Sequence, residues 1–154
     1  MYSDDVYRNK LASVIDALDA WARDTRDAAD IETDVTPSFW KMTVTPKTLG
    51  ACPFELMLRA DQRFNVRIGD EAYEEKPVDT FEFFPMLARA IERGHVERVA
   101  VSSALTGALD SIETRVTLED GWAWIGERRV GQRGSRRVES AQEQRAHRFL
   151  PYRR

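Results

Sequence analysis

Residues 40–68 read WKMTVTPKTLGACPFELMLRADQRFNVRI, and the alternation in this stretch decides the fold. Trp40, Met42 and Val44 alternate with Lys41 and Thr43 until Pro46 ends the run. Gly50 to Pro53 mark a turn, after which Phe54, Leu56 and Leu58 alternate with Glu55, Met57 and Arg59. A tight turn near Asp61-Gln62 leads to Phe64, Val66 and Ile68, which alternate with Arg63, Asn65 and Arg67. A period of two sends successive side chains to opposite faces of a strand. Three such runs joined by short turns predict an antiparallel meander with one buried face.

Upstream, the period becomes helical. From residue 4 to about 28, Tyr7, Leu11, Val14, Ile15, Leu18, Trp21 and Ala22 form one apolar stripe, with Ser3 or Asp4 as the cap. Asp30 to Asp34 read as an acidic connection closed by Thr36-Pro37. Downstream, Gly69-Asp70 opens an acidic loop through Glu71, Glu74, Glu75 and Pro77. A second helix begins at Thr80 or Pro85, turns Phe84, Leu87, Ala88 and Ile91 inward, and stops at Gly94. Val99 and Val101 suggest a fourth strand, and Ile112, Thr114, Val116 and Leu118 alternate into a hairpin with Trp122 to Ile125. A two-residue loop at Asp120-Gly121 would turn both tryptophans to the polar face. A three-residue loop with Gly121 in the left-handed bulge position pairs Leu118 with Trp122, and it is preferred because it buries Trp122 and Trp124. The element order predicts an α+β fold: an antiparallel sheet of about five or six strands, with the long N-terminal helix and the second helix packed on one face.

The 154 residues are 42% apolar and 32% charged, which fits one globular domain and excludes collagen-like and disordered classes. No apolar run approaches ~18 residues, so no membrane partner is expected. Met1 to Lys10 are polar and acidic, without a signal-peptide pattern, so the expected location is cytoplasmic. Cys52 is the one cysteine, and His95 and His147 are the only histidines, too few ligands for a zinc site. No Walker, dinucleotide or Gly-x-Ser-x-Gly spacing occurs. Cys52 has no base near it in sequence and reads as incidental. Glu71, Glu74 and Glu75 read as a charged loop, and the aromatics as core. The chain therefore predicts no catalytic residue, no metal site and no cofactor.

Charge is sorted by position. Residues 1–126 carry 14 basic and 23 acidic side chains, or −9; residues 127–154 carry nine arginines against Glu127, Glu139 and Glu143, or +6. This predicts a single α+β domain over 1–126 and a basic C-terminal tail over 127–154, in which Ser140-x-x-Glu143 caps a short helix toward Leu150. The periodic apolar elements end near Ile125, so the core is expected to fold without the tail. Arg128, Arg129, Arg136 and Arg137 are expected against acidic side chains of the first helix or of Asp70 to Glu75, in the same chain or a second copy. The other readings of the tail are nucleic-acid binding by counterion release and a solvated end. Parity places Lys41, Arg59, Arg63, Arg67, Arg98 and Arg115 on the open sheet face. That set is either a platform for an anionic ligand or acidic protein surface, or, more commonly for such faces, a solvated surface of cross-strand Glu–Arg pairs.

No residue motif identifies a family. The element order and acidic body are similar to those of small secretion chaperones of bacteria, a resemblance that implies binding of other proteins and carries over no residues. The function expected is a non-enzymatic protein-interaction or self-associating module, with a protein partner or a second copy as its ligand. Two alternatives stand beside it. One is a small anionic-ligand binder or enzyme, its pocket lined by groups such as Tyr73, His95 or Arg98. The other is a non-specific nucleic-acid binder using the tail and sheet arginines.

Overall fold

Ser3 starts the first helix: its Oγ accepts the Val6 N–H at 3.4 Å, and Asp4 and Asp5 set negative charge at the helix's positive end. In the computed structural model, which describes residues 1–130 and 142–153, this helix α1 spans Asp4–Thr25. Five strands follow as an antiparallel meander: β1 (Ala29–Val35), β2 (Phe39–Pro46), β3 (Phe54–Arg59), β4 (Arg63–Ile68) and β5 (Glu71–Pro77). The expected three-stranded meander is thus the centre of a five-stranded sheet. The segments read as acidic loops on either side are its edge strands. Helix α2 (Phe83–Glu92) leads to a second antiparallel sheet of β6 (Val96–Ser103), β7 (Leu109–Thr117), β8 (Ala123–Arg129) and β9 (Gln142–Arg148), in the order β8-β7-β6-β9. The chain is α+β, as the sequence predicts, with nine strands divided between two sheets among the described residues.

Parity explains the core. Trp40, Met42, Val44, Phe54, Leu56, Leu58, Phe64, Val66 and Ile68 are all buried on one face of the first sheet. Tyr7, Leu18 and Trp21 of α1 and Phe84, Leu87 and Ile91 of α2 join the same cluster. The Trp21 ring lies 5.7 Å from Phe54, and Phe84 meets Phe64 edge-on at 5.0 Å. Full burial of each such side chain contributes about 1.5–3 kcal/mol. The second sheet packs closely on β5 around Tyr73. A Cβ on Gly126 would lie 2.5 Å from the Tyr73 ring, and the Tyr73 and Thr114 hydroxyls are 2.7 Å apart.

Two expectations fail in the C-terminal third. The hairpin has the preferred register: Leu118 pairs with Trp122, the Leu118 N–H donates to the Trp122 carbonyl at 2.8 Å, and Gly121 has φ +91°. Burial does not follow for both tryptophans. Trp124 is half-buried against Tyr73 and Phe83, but Trp122 is 75% exposed, because it lies at the hairpin end. The short helix expected after Ser140 is instead β9 over residues 142–148, paired antiparallel with β6. The open edge of β6 supplies backbone partners that an isolated polar helix lacks, so pairing overrides local propensity.

The boundary expected at residue 126 falls inside β8, and residues 149–153 return to the body. Leu150 forms a parallel bridge with Ala51. Tyr152 is 2% exposed; its N–H donates to the Glu92 carbonyl at 2.8 Å and its hydroxyl to the Cys52 carbonyl at 2.6 Å. Gly94 permits the crossing: it has φ +77°, and a Cβ there would stand 2.7 Å from the Pro151 nitrogen. No described helix is long and apolar enough to cross a membrane.

Candidate functional site

The six basic residues expected on one open face do not form one platform. Lys41, Arg59, Arg63 and Arg67 share the outer face of the first sheet, where most of them meet carboxylates. Lys41 lies 3.4 Å from Glu55, Arg59 is 2.6 Å from Asp61 and 3.6 Å from Glu75, and Arg63 is 4.0 Å from Glu75. Register aligns Asp34 with Lys41 and Glu32 with Thr43, so β1 adds Asp30, Glu32 and Asp34 to the same face. Arg67 is exposed beside them. The face is a mixed-charge surface, not a basic one.

Arg98 and Arg115 belong to the second sheet and point to opposite faces. Arg98 aligns with Thr114, so Arg115 faces away and lies 2.7 Å from Glu113. Arg98 lies on the face opposite to the one expected because β6 has buried valines in both phases: Val96 on one face, Val99 and Val101 on the other. Anchoring the phase on Val99 and Val101 sends Arg98 outward. Val96 belongs to the main core, and it carries Arg98 inward with it.

There Arg98 meets Glu71, whose side chain is 3% exposed. Arg128 grips this carboxylate at two points, Nε to Oε2 at 2.7 Å and Nη2 to Oε1 at 3.1 Å, while Arg98 Nη2 stands 3.6 Å from Oε1. The Arg128 hydrogen bond, reinforced by the charges of Arg128 and Arg98, holds Glu71 below the usual carboxylate range against the opposing effect of burial. Arg129 pairs with Glu127 at 3.3 Å. Of the four tail arginines, Arg128 lies against the Asp70 to Glu75 segment and Arg129 does not; Arg136 and Arg137 lie outside the described residues. Arg153, which the sequence did not single out, meets Asp27 and the Asp24 carbonyl at the end of α1, and Glu92 at 2.8 Å.

Cys52 is fully buried; its Sγ donates to the Pro53 carbonyl at 3.3 Å, and burial pushes the thiol up to about 12. A thiol in that state supplies no thiolate at neutral pH. His95 is exposed beyond α2, and His147 packs edge-on against Phe149 at 5.0 Å. No three His, Cys, Asp or Glu side chains among the described residues gather as a metal site requires.

Several clefts lie among the described residues. A groove of about 380 Å³ runs between α1 and α2, lined by Lys10, Val14, Phe81 and Pro85. A cleft of about 240 Å³ opens between β8 and the start of α2, with Phe83, Trp124 and Ile125 as its apolar wall and Lys76 and Asp79 as polar groups. A more enclosed cavity of about 230 Å³ lies under the β4–β5 turn and is lined by Asp70, Arg98, Thr114, His147 and Phe149.

Strand β8 bounds the second cleft and is itself an edge. Hydrogen bonds from Leu118 to Trp122 and from Val130 to Asp110 put the even-numbered residues of β8 on the β7 side. The N–H and C=O groups of Ala123, Ile125, Glu127 and Arg129 therefore point outward, and among the described residues β8 pairs only with β7. Trp122 and Ile125 expose large apolar surface along this edge, Ile125 to 56%. The sequence marked Trp122 as core. Comparison of the chain with known family models, curated proteins and solved structures returns no match.

Proposed function

We propose that this protein is a non-enzymatic interaction module that takes an extended segment of a protein partner onto the β8 edge. The observation that carries this reading is the contrast among the sheet edges. Natural sheets guard their edges with charge, because unpaired backbone groups are a template for another strand. β1 carries Asp30, Glu32 and Asp34 and exposes one large apolar side chain, Val35, at its end. β5 carries Glu74, Glu75 and Lys76, and β9 carries Glu143, Arg145 and Arg148. The first half of β8 has no such guard; it presents Ala123 and Ile125, with Trp122 just before it.

An added strand would satisfy the outward backbone groups, and its alternate side chains would face the neighbouring cleft. Strand addition works in this way: main-chain bonds supply affinity and side-chain pockets supply specificity. The apolar wall of Phe83 and Trp124 favours an apolar side chain there, and Lys76 and Asp79 favour polar neighbours around it. The buried Cys52 thiol and the ion-paired arginines agree with binding rather than covalent chemistry.

Selection from a displayed random peptide library tests the proposal. The parent chain should enrich extended sequences of alternating apolar and polar character. Ile125→Lys places a charge on the edge and should weaken synthetic versions at least tenfold. Trp122→Ala should weaken them less while leaving the fold intact. Failure to enrich any peptide, or equal binding by Ile125→Lys, would refute the reading.

A further inference from the structure

The pairing of the second sheet brings three residues far apart in sequence into one row. Thr114 of β7, Arg98 of β6 and His147 of β9 are aligned neighbours across the strands. All three line the 230 Å³ cavity that Gly69 and Asp70 roof from the first sheet. With the Thr114 hydroxyl already bonded to the Tyr73 hydroxyl at 2.7 Å, the Arg98 guanidinium and the His147 imidazole are the groups of this row suited to an oxyanion.

One buried carboxylate, Glu71, stands between two guanidinium groups. Arg128 hydrogen-bonds both of its oxygens, and Arg98 stands at 3.6 Å, an ion-pair distance but not a hydrogen-bond one. Among the described residues, Arg98 Nε is buried without a hydrogen-bond partner. A buried guanidinium donor in that condition is uncommon in a settled structure. The Arg98 side chain as a whole is 41% exposed and lines the cavity. Asp70 is the one carboxylate in the cavity wall, at the turn, and it disfavours negative charge on its own side. Pro53, Ile68 and Phe149 supply apolar wall.

We propose that this cavity binds a small organic anion, with its carboxylate or phosphate group on Arg98 and His147 and its apolar part against Phe149 and Ile68. This site does not depend on the β8 edge. An open basic face would bind anions by charge alone, whereas this cavity selects by size and by the fixed row of donors.

Titration of the full chain with benzoate and with inorganic phosphate tests the proposal, with sodium chloride at matched ionic strength as the reference. At least one probe should move the His147 ring resonances saturably and raise the melting temperature beyond the chloride effect. Benzoate binding more tightly than phosphate marks an organic anion; phosphate alone marks a bare-oxyanion site and overturns the apolar part of the assignment. Arg98→Gln should weaken the response at least tenfold, and Arg67→Gln, on the outer face of the other sheet, should leave it unchanged. His147→Gln gives an independent loss if Arg98→Gln folds poorly. No saturable shift with either probe, or equal responses in all variants, overturns the site.

Discussion

Replacing Tyr152 should destabilise the whole domain, although the sequence places this residue in a dispensable tail. The side chain is buried among Cys52, Ala51 and the end of α2, and it joins three separate parts of the chain. Its hydroxyl donates to the Cys52 carbonyl at 2.6 Å, its N–H to the Glu92 carbonyl at 2.8 Å, and its own carbonyl accepts from Thr48 Oγ1 at 2.8 Å. Tyr152→Ala deletes a buried ring, which costs about 3–5 kcal/mol. Tyr152→Phe keeps the ring and removes one donor from a buried acceptor, about 1–3 kcal/mol. For a chain of this size each kcal/mol moves the melting temperature by about 2–4 °C, so the alanine variant should melt about 6–20 °C lower. Urea unfolding followed by tryptophan fluorescence measures the same loss. Trp21 reports on the site directly, since its Nε1–H donates to the Glu92 carboxylate at 2.9 Å. Both variants should shift the midpoint without changing the slope. If Tyr152→Ala, or truncation after Arg148, unfolds within about 0.5 kcal/mol of the parent, residues 149–153 are not part of the core.

Two further perturbations test the contact between the sheets. Gly126→Ala forces a Cβ into the Tyr73 ring and should cost about 1–3 kcal/mol; in a double-mutant cycle with Tyr73→Ala the cost should shrink, and strict additivity would contradict the close approach. Glu71 has a folded pKa below its unfolded value, so its pairing stabilises fully above about pH 4.3 and is lost as pH falls through the folded pKa. Acid unfolding curves of the parent and Arg128→Met should therefore converge at low pH and separate above it, with the parent more stable. Parallel curves would show that the pair contributes nothing.

The parts of the fold legible in the sequence are those with one wet and one dry face. Trp40 to Ile68 alternate because β2, β3 and β4 bury one side only, and α1 shows its stripe for the same reason. The strands that were missed, β1, β5 and β9, are all sheet edges. Their charges, Asp30, Glu32 and Asp34 in one and Arg145 and Arg148 in another, protect the open backbone; in sequence the first set resembles a loop and the second follows a helix-capping pattern. The tail carried one usable signal. Phe149-Leu150-Pro151-Tyr152 is an apolar island after a run of arginines, and an isolated chain end has no reason to keep one.

Arg98 shows why a site can escape a sequence reading while its cause stays visible. β6 is an interior strand with β7 on one side and β9 on the other, and it buries valines on both faces. A charged residue between Val96 and Val99 has no fully solvated face to occupy, so it requires a partner from elsewhere in the fold. Alternation names the strand but cannot say which residue answers that need. Glu71 lies on an edge strand that reads as a loop, and Thr114 and His147 reach Arg98 only through the register of two separate pairings. The partner found is shared with Arg128, which hydrogen-bonds both of its oxygens. Among the described residues that demand is met only in part: Arg98 Nε is buried without a hydrogen bond, while the Arg98 side chain borders the cavity under the β4–β5 turn.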